Sequence, residues 1–191
     1  MRPGGSATIE TPRLRLRQWR EDDLAPFAAL NTDPEVMRFF EEPLSHERSD
    51  AWARAIAAVI EDQGWGLWAL ERRDTGEFIG FTGLQAPRHE LPFNPCVEVG
   101  WRLARSAWGQ GFATEAGRAS LAHAFGPLEL DEVVSMTAVT NLPSRRVMER
   151  LGMTRDEQAD FDHPAVSAGH PLQRHVLYRI GAEQWRALPA T

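Results

Sequence analysis

The apolar positions of this chain follow two periods, one typical of strands and one typical of helices. Between residues 97 and 103 apolar and polar side chains alternate strictly, which predicts a strand with two different faces. One face carries Val97, Val99, Trp101 and Leu103, and the other carries Glu98, Gly100 and Arg102. A glycine-rich turn follows at 108–111, and the apolar spacing after it predicts a helix that ends at Gly126.

The rest of the chain shows the same two periods and predicts a mixed α/β domain. Strands are predicted at 13–17, 65–71, 78–84 and 133–139, helices at 24–30, 45–63 and 141–151, and two last strands around a loop at 161–175. In the first strand the leucines are expected to face a core, while Arg13, Arg15 and Arg17 face outward. Residues 1–10, rich in Gly, Pro and Ser, are predicted to form a flexible leader, and 11–191 a single domain.

Composition narrows the class of protein. A chain of 191 residues with 42% hydrophobic content can bury one full core. The net charge of -6 argues against a general nucleic-acid binder. Cys96 is the only cysteine, which excludes an internal disulfide and a cysteine-built zinc site, and no metal site is predicted. Neither a membrane span nor a signal core is present, so a cytoplasmic protein without membrane contact is expected.

The predicted strand, glycine turn and helix together form a phosphate-binding element, because unpaired N–H groups and the positive end of the helix dipole converge there. A dinucleotide-binding fingerprint would read G-x-G-x-x-G, but from Gly109 the chain reads G-Q-G-F-A-T. The third glycine is missing, and the acidic residue at the expected distance, Asp131, begins the next strand instead of ending it. A nicotinamide-dependent enzyme is therefore disfavoured.

The same stretch resembles motif A of the GNAT N-acetyltransferases, whose pattern is Arg/Gln-x-x-Gly-x-Gly/Ala. Trp108 stands where Arg or Gln is usual, as in the branch of ribosomal-protein (RimJ/RimL-like) N-terminal acetyltransferases. A second stretch, with Asn141, Ser144 and the end of its helix at Gly152, resembles motif B. The resemblance covers roughly residues 10–186.

The resemblance implies a GNAT fold of the α/β (α+β) class, with a mixed, mostly antiparallel central sheet of about seven strands. The sheet would be splayed at the cofactor site and flanked by helices. The implied activity is acetyl-CoA-dependent transfer of an acetyl group to a primary amine, on a protein N-terminus or a small molecule, and a homodimer is common in the branch. The alternative is a catalytically silent acyl-CoA-binding module with a regulatory role.

The resemblance also assigns residues to acetyl-CoA. The expected pyrophosphate contacts are Trp108, Gly109, Gln110, Gly111, Phe112, Ala113 and Thr114. The pantetheine arm would pair with the strand at Val99, Trp101 and Leu103, with an N–H near 99–101 as oxyanion donor. Asn141 and Ser144 would contact the pantetheine or the sulfur end, and Asn141 would also cap its helix.

Glu98 is the first candidate for the general base that takes the proton from the amine, and a solvated or ion-paired strand glutamate is the other interpretation. His89 is the alternative base. Ser144 fits the position of a proton donor to the leaving thiolate, whereas Tyr178 is expected in an ordinary sheet role. Five acidic residues in the surrounding loops suggest a cationic acceptor; these are Glu41, Glu42, Glu90, Asp160 and Asp162.

Overall fold

Eight strands form one open sheet in the computed structural model, which describes residues 8–189. The strands are β1 (Ile9–Glu10), β2 (Leu14–Arg17), β3 (Leu67–Arg72), β4 (Phe78–Gln85), β5 (Glu98–Leu103), β6 (Glu132–Ala138), β7 (Thr154–Asp162) and β8 (Arg174–Gly181). The helices are α1 (Leu24–Thr32), α2 (Pro34–Met37), α3 (His46–Gln63), α4 (Phe112–Phe125), α5 (Leu142–Arg150) and α6 (Ala182–Ala187).

The strand order is β1-β2-β3-β4-β5-β6-β8-β7, and every neighbouring pair is antiparallel except β5 and β6. The predicted mixed, mostly antiparallel sheet is confirmed. The eighth strand is β1, in which Ile9 pairs with Leu16. The sheet therefore begins inside the segment predicted to be a flexible leader, and residues 1–7 of that segment lie outside the described residues.

Helices cover the two faces of the sheet with different side chains. On one face, Phe27 of α1 and Trp52 of α3 pack with their ring centroids 5.4 Å apart, and both contact Phe81 of β4. On the other face, the ring of Trp68 on β3 meets His123 of α4 at 5.3 Å. Because β4 and β5 lie between these layers, their side chains alternate between two differently built environments.

The termini of the long helix α3 follow the local sequence. The hydroxyl of Ser45 accepts a hydrogen bond from Arg48 N at 3.2 Å, and Gly64 ends the helix with a φ of 86°. Helix α1 ends at Thr32, close to its predicted end. No loop separates it from α2, because the side chain of Asp33 caps α2 by accepting from Glu35 N at 2.8 Å. The short helix α6 was not predicted from the sequence.

The prediction that every arginine of the first strand faces outward is wrong for Arg17, which is 5% exposed. Its guanidinium forms ion pairs with Asp23 and Glu71, both at 2.7 Å. Arg15 and Arg20 also reach Glu71, each at 2.8 Å. Buried carboxylates on neighbouring elements, which strand periodicity does not reveal, draw this arginine inward.

No helix within residues 8–189 is both long enough and apolar enough to cross a membrane.

Candidate active site

Strands β5 and β6 diverge soon after they meet. Only Glu98 and Val134 are paired between these two parallel strands. Both strands then run toward the same edge of the sheet, where β5 leads into the glycine turn and β6 leads to Asn141 at the start of α5. The predicted splay is thus present, and a gap opens between two elements that the sequence assigned to one site.

Hydrogen bonds at the ends of β5 show which backbone groups face this gap. Val97 O accepts from Val134 N of β6 at 2.9 Å, and Ala104 N donates to Ile79 O beside β4 at 2.8 Å. Backbone groups alternate sides along a strand, so the odd-numbered residues of β5 direct their N–H and C=O groups into the gap. These residues are Val99, Trp101 and Leu103, the set predicted to pair with a pantetheine arm.

Two of the carbonyl groups in this gap already have partners. Val99 O accepts from Ser135 Oγ at 2.9 Å, and Leu103 O accepts from Trp108 Nε1 at 2.9 Å. The indole of Trp108, at the position where motif A usually has Arg or Gln, therefore ties the turn back to β5. The strand edge at Trp101 remains available for an amide-bearing ligand.

The turn after β5 has the geometry of an anion-binding loop. Gly109 and Gly111 have φ values of 74° and 81°, in the left-handed region that favours glycine. The first backbone hydrogen bond of α4 runs from Glu115 N to Gly111 O at 3.0 Å. The N–H groups ahead of it have no intrahelical acceptor and point out of the helix start, where the helix dipole favours an anion.

Arg13 holds this turn from outside. It donates to Gln110 O at 2.9 Å and pairs with the carboxylate of Glu115 at 2.6 Å. The side chain of Gln110 donates to Ser106 O at 2.8 Å. Contacts from Arg13, just before β2, and from Ser106 thus hold the glycine turn in place within the chain itself.

A cavity of about 1210 Å³ runs along the gap. This volume exceeds the roughly 300–1,000 Å³ of a typical single-ligand pocket, so it has room for two substrates. The predicted site residues in its wall are Glu98, Trp101, Leu103, Trp108, Gly109, Gly111, Phe112, Ala113, Thr114, Asn141 and Ser144. Val99 and Gln110 are not in the wall: the side chain of Val99 is fully buried in the core, and Gln110 is engaged outside the turn.

The start of α5 forms the opposite side of the gap. Asn141 Oδ1 accepts from Ser144 N at 3.3 Å, and Asn141 Nδ2 donates to Thr137 Oγ1 at 2.8 Å. The predicted role of Asn141 as a helix cap is confirmed. Its amide is held by the chain itself, with Ser144 beside it at the cavity wall.

Glu98 lies on the face of β5 opposite the side chain of Val99. Its carboxylate accepts from Gln85 Nε2 at 2.9 Å, and no ion pair within residues 8–189 involves it. Burial raises the pKa of Glu98 to about 7, against the opposing effect of the Gln85 hydrogen bond. A carboxyl group with this pKa ionises near neutral pH, as a general base requires.

The sequence matches the family model described as an acetyltransferase (GNAT) domain over residues 13–154. The chain belongs to the GNAT acetyltransferase family. It is 31% identical to FsC-acetyl coenzyme A-N(2)-transacetylase of Aspergillus fumigatus, over 93% of this chain and 77% of that protein.

Solved structures share the fold of this GNAT acetyltransferase. An acetyltransferase from Agrobacterium tumefaciens superposes with a TM-score of 0.72 at 28% identity, covering 91% of this chain and 94% of that one. RimL, a ribosomal-protein alpha-N-acetyltransferase solved with coenzyme A, gives a TM-score of 0.72 at 18% identity, covering 92% and 98%. RimL therefore shares the fold, and the predicted resemblance to the GNAT family is confirmed.

The other titratable groups of interest in this acetyltransferase are three histidines and Tyr178. His89, His163 and His175 line one part of the cavity, and the ring of His163 lies 5.6 Å from that of His89 and 4.7 Å from that of His175. Burial lowers the pKa of His163 to about 4 and also lowers that of His175, so both are neutral at physiological pH. Tyr178 is buried and donates to Glu149 at 3.1 Å, in the structural role expected of it.

The acidic loop residues do not gather at the cavity as expected. Glu41 and Glu42 line it, whereas Glu90, Asp160 and Asp162 do not. Six arginines line the cavity against four glutamates; these arginines are Arg38, Arg48, Arg88, Arg102, Arg146 and Arg150. The charge of the wall therefore gives no support to a cationic acceptor.

Sequence reasoning missed Arg102 as a site residue. The alternation of β5 placed it on the same face as Glu98, which was the available signal, but a single strand does not show what covers that face. In the structure the covering elements are the loop at Phe40 and the helix residue Trp52, over which the Arg102 guanidinium lies at 4.0 and 4.9 Å from the ring centroids.

Proposed function

We propose that this GNAT acetyltransferase uses acetyl-CoA as donor and transfers the acetyl group directly to a primary amine, on a protein N-terminus or a small molecule. The observation that carries the proposal is the continuous path from the glycine turn, along the open backbone edge of β5, to Glu98. Along one cavity lie, in order, a turn suited to phosphate groups, a strand edge suited to amides and a carboxylate suited to an amine.

The residues of this path fit acetyl-CoA. The N–H groups that begin α4 suit a pyrophosphate, and the backbone at Trp101 suits the amides of a pantetheine arm. Bound acetyl-CoA supplies a thioester whose carbonyl carbon an amine can attack. Asn141 and Ser144 stand across the gap, where the sulfur end of the arm is expected.

Three groups of the chain transfer protons or stabilise charge during the reaction. The ionised Oε atoms of Glu98 accept the proton of the incoming ammonium, directly or through one water. An N–H of β5 that faces the gap stabilises negative charge on the carbonyl oxygen, and the hydroxyl of Ser144 donates toward the thiolate.

A titration of the purified protein with acetyl-CoA, with NAD as the control ligand, tests the donor. Gly109→Ala places a Cβ in the glycine turn, where no heavy atom of the described chain outside its two sequence neighbours lies within 4 Å. Gly76→Ala is the matched control, because Gly76 has a φ of 73° and equally open surroundings in the β3–β4 turn. Each variant should lose about 1 kcal/mol of stability from the strained backbone.

Only Gly109→Ala should weaken acetyl-CoA binding, by about tenfold or more. Equal affinity in both variants would remove the turn from the donor site. Binding of acetyl-CoA without transfer to any amine would instead favour the silent acyl-CoA-binding module.

A further inference from the structure

Arg102 presents a cation to the same cavity as Glu98. Its guanidinium lies on three aromatic rings, with centroids at 4.0 Å for Phe40, 4.9 Å for Trp52 and 5.8 Å for Phe81. Such faces stabilise a cation, but they offer no hydrogen-bond acceptor to its N–H groups. The ring stack fixes the plane of the guanidinium and leaves its edge to be satisfied elsewhere.

A buried polar chain sets the direction of that edge. Arg102 Nη1 donates to Asn31 Oδ1 at 2.6 Å, and Asn31 Nδ2 donates to Ser49 Oγ at 2.8 Å. Asn31 and Ser49 are both fully buried, so the amide of Asn31 is held with its oxygen toward Arg102. This is the only hydrogen bond from the guanidinium within residues 8–189, and its Nε is buried without a partner.

No carboxylate of the described chain neutralises this arginine. The four glutamates of the cavity wall have other partners: Glu35 pairs with Arg38, Glu42 with Arg48, Glu41 accepts from Ser167 N, and Glu98 accepts from Gln85. Burial without a counter-charge lowers the pKa of Arg102 to about 9, which still leaves it charged at neutral pH. A largely buried, charged and oriented guanidinium is costly unless something pairs with it.

We propose that Arg102 binds a carboxylate of the acceptor, so that the substrate is a primary amine that also carries an acidic group. The planar fork of an arginine matches a carboxylate in shape and charge. Glu98 and Arg102 share one face of β5, and their Cα atoms are about 13 Å apart at the usual strand rise. An acceptor that touches both therefore extends along the strand, with its amine toward Glu98. This inference rests on the proposed amine acetylation.

The test compares acceptors that differ only in charge. Wild-type kcat/KM is measured for β-alanine, γ-aminobutyrate and ε-aminocaproate against their carboxamides. It is also measured for dipeptide amides with glutamate or glutamine as second residue. At least one acidic member should exceed its neutral partner by about tenfold or more, as expected for a hydrogen-bonded charge pair. Equal kcat/KM within every pair would overturn the proposal, whatever the absolute rate.

Variants of Arg102 test whether this residue causes the preference for acidic acceptors. Arg102→Gln should reduce the acidic-to-neutral ratio of kcat/KM to near one through a higher KM for the acidic acceptor. Arg102→Lys keeps the charge without the fork and should retain part of the ratio. Arg54→Gln is the matched control, because Arg54 lies on α3 outside the cavity and, within residues 8–189, its ion-pair partner is the exposed Glu21 at 3.1 Å. An unchanged ratio in Arg102→Gln contradicts the assignment.

A binding measurement separates failure of this inference from failure of the proposed function. Calorimetry with ε-aminocaproate and its carboxamide, in the presence of coenzyme A, needs no turnover. Wild-type binding of the acidic compound that is lost in Arg102→Gln supports the carboxylate site even if acetyl transfer is not seen. Acetyl transfer without any preference for acidic acceptors, and without such binding, leaves the amine acetyltransferase intact and removes the carboxylate site.

Discussion

The corner between β2 and β3 and the cavity face of β5 both bury charged side chains, but they treat them differently. At the corner, Arg17 has two carboxylate partners, Asp23 and Glu71, at 2.7 Å. Those partners raise the pKa of Arg17 in spite of burial, and the arginines around Glu71 hold its pKa below the usual value. At the cavity, Glu98 and Arg102 each lack an opposite charge among the residues that the structure describes, and burial shifts both pKa values toward the neutral form.

The presence or absence of an ion-pair partner distinguishes buried charges that stabilise the fold from buried charges that are available to a ligand. A complete ion-pair network is satisfied within the chain and has nothing left to offer a ligand. A buried charge without a partner costs stability, and it persists where a substrate can supply the missing group. Both regions contain an arginine and a glutamate in the same sheet, so equivalent substitutions can be compared between them.

The largest expected difference is in the free energy of unfolding of variants at Arg17 and at Arg102. Arg17→Gln leaves Asp23 and Glu71 without their buried cation, and we expect a loss of about 3–5 kcal/mol in the free energy of unfolding. Arg102→Gln removes a cation that has no counter-charge among the described residues, but the shorter side chain leaves the buried Asn31 Oδ1 without its donor, so we expect a smaller loss of about 1–3 kcal/mol. Urea unfolding of both variants measures the difference. Equal losses would break the comparison.

The two glutamates should differ in activity. Glu98→Gln should lower kcat for amine acetylation by about 100-fold or more, because the general base is lost, with little change in the affinity for acetyl-CoA. In the wild type, kcat/KM should rise with pH through an apparent pKa near 7, and Glu98→Gln should lack this limb.

Glu71→Gln is the matched control for that loss. It should reduce stability by removing a partner of Arg17, while the folded protein keeps its kcat. If Glu98→Gln retained full kcat and the pH limb, Glu98 would be a structural glutamate and the comparison would have to be redrawn around Arg102 alone.

The two glutamates should also differ in how the free energy of unfolding depends on pH. The pKa of Glu98 is about 7 in the folded protein against 4.5 for the ordinary group, so the folded state holds more protons between these values. The contribution of Glu98 to the free energy of unfolding therefore falls as pH rises through this window. Glu98→Gln should gain stability relative to wild type between about pH 5 and pH 8.

Glu71 should show the opposite sign in the same unfolding experiment. Its pKa is lowered in the folded protein, so its stabilising contribution is present above the ordinary pKa and is lost as pH falls. Parallel pH profiles for the Glu71→Gln and Glu98→Gln variants would show that the two carboxyl groups are in similar environments, contrary to the contacts seen here.

Much of the donor side could be predicted from the sequence because its signals are local. The alternation of residues 97–103, the glycines of the turn and the cap at Asn141 act over a few neighbouring residues. Strand periodicity assigned Val99, Trp101 and Leu103 to one set, and backbone geometry then directs that set toward the gap. The exceptions are the side chain of Val99, which packs into the core, and Gln110, which is held by Arg13 and Ser106 outside the turn.

The acceptor side was decided only by the tertiary structure. Arg102 meets groups from α1, β4, the loop after α2, and α3, which are distant in sequence, and its missing counter-charge appears only when all of them are packed together. The sequence by itself determined the strand, the glycine turn and the family, because hydrogen-bond periodicity and glycine conformation are local properties. Tertiary packing decided which charges are neutralised, because desolvation and Coulomb attraction act between whichever side chains the fold brings together.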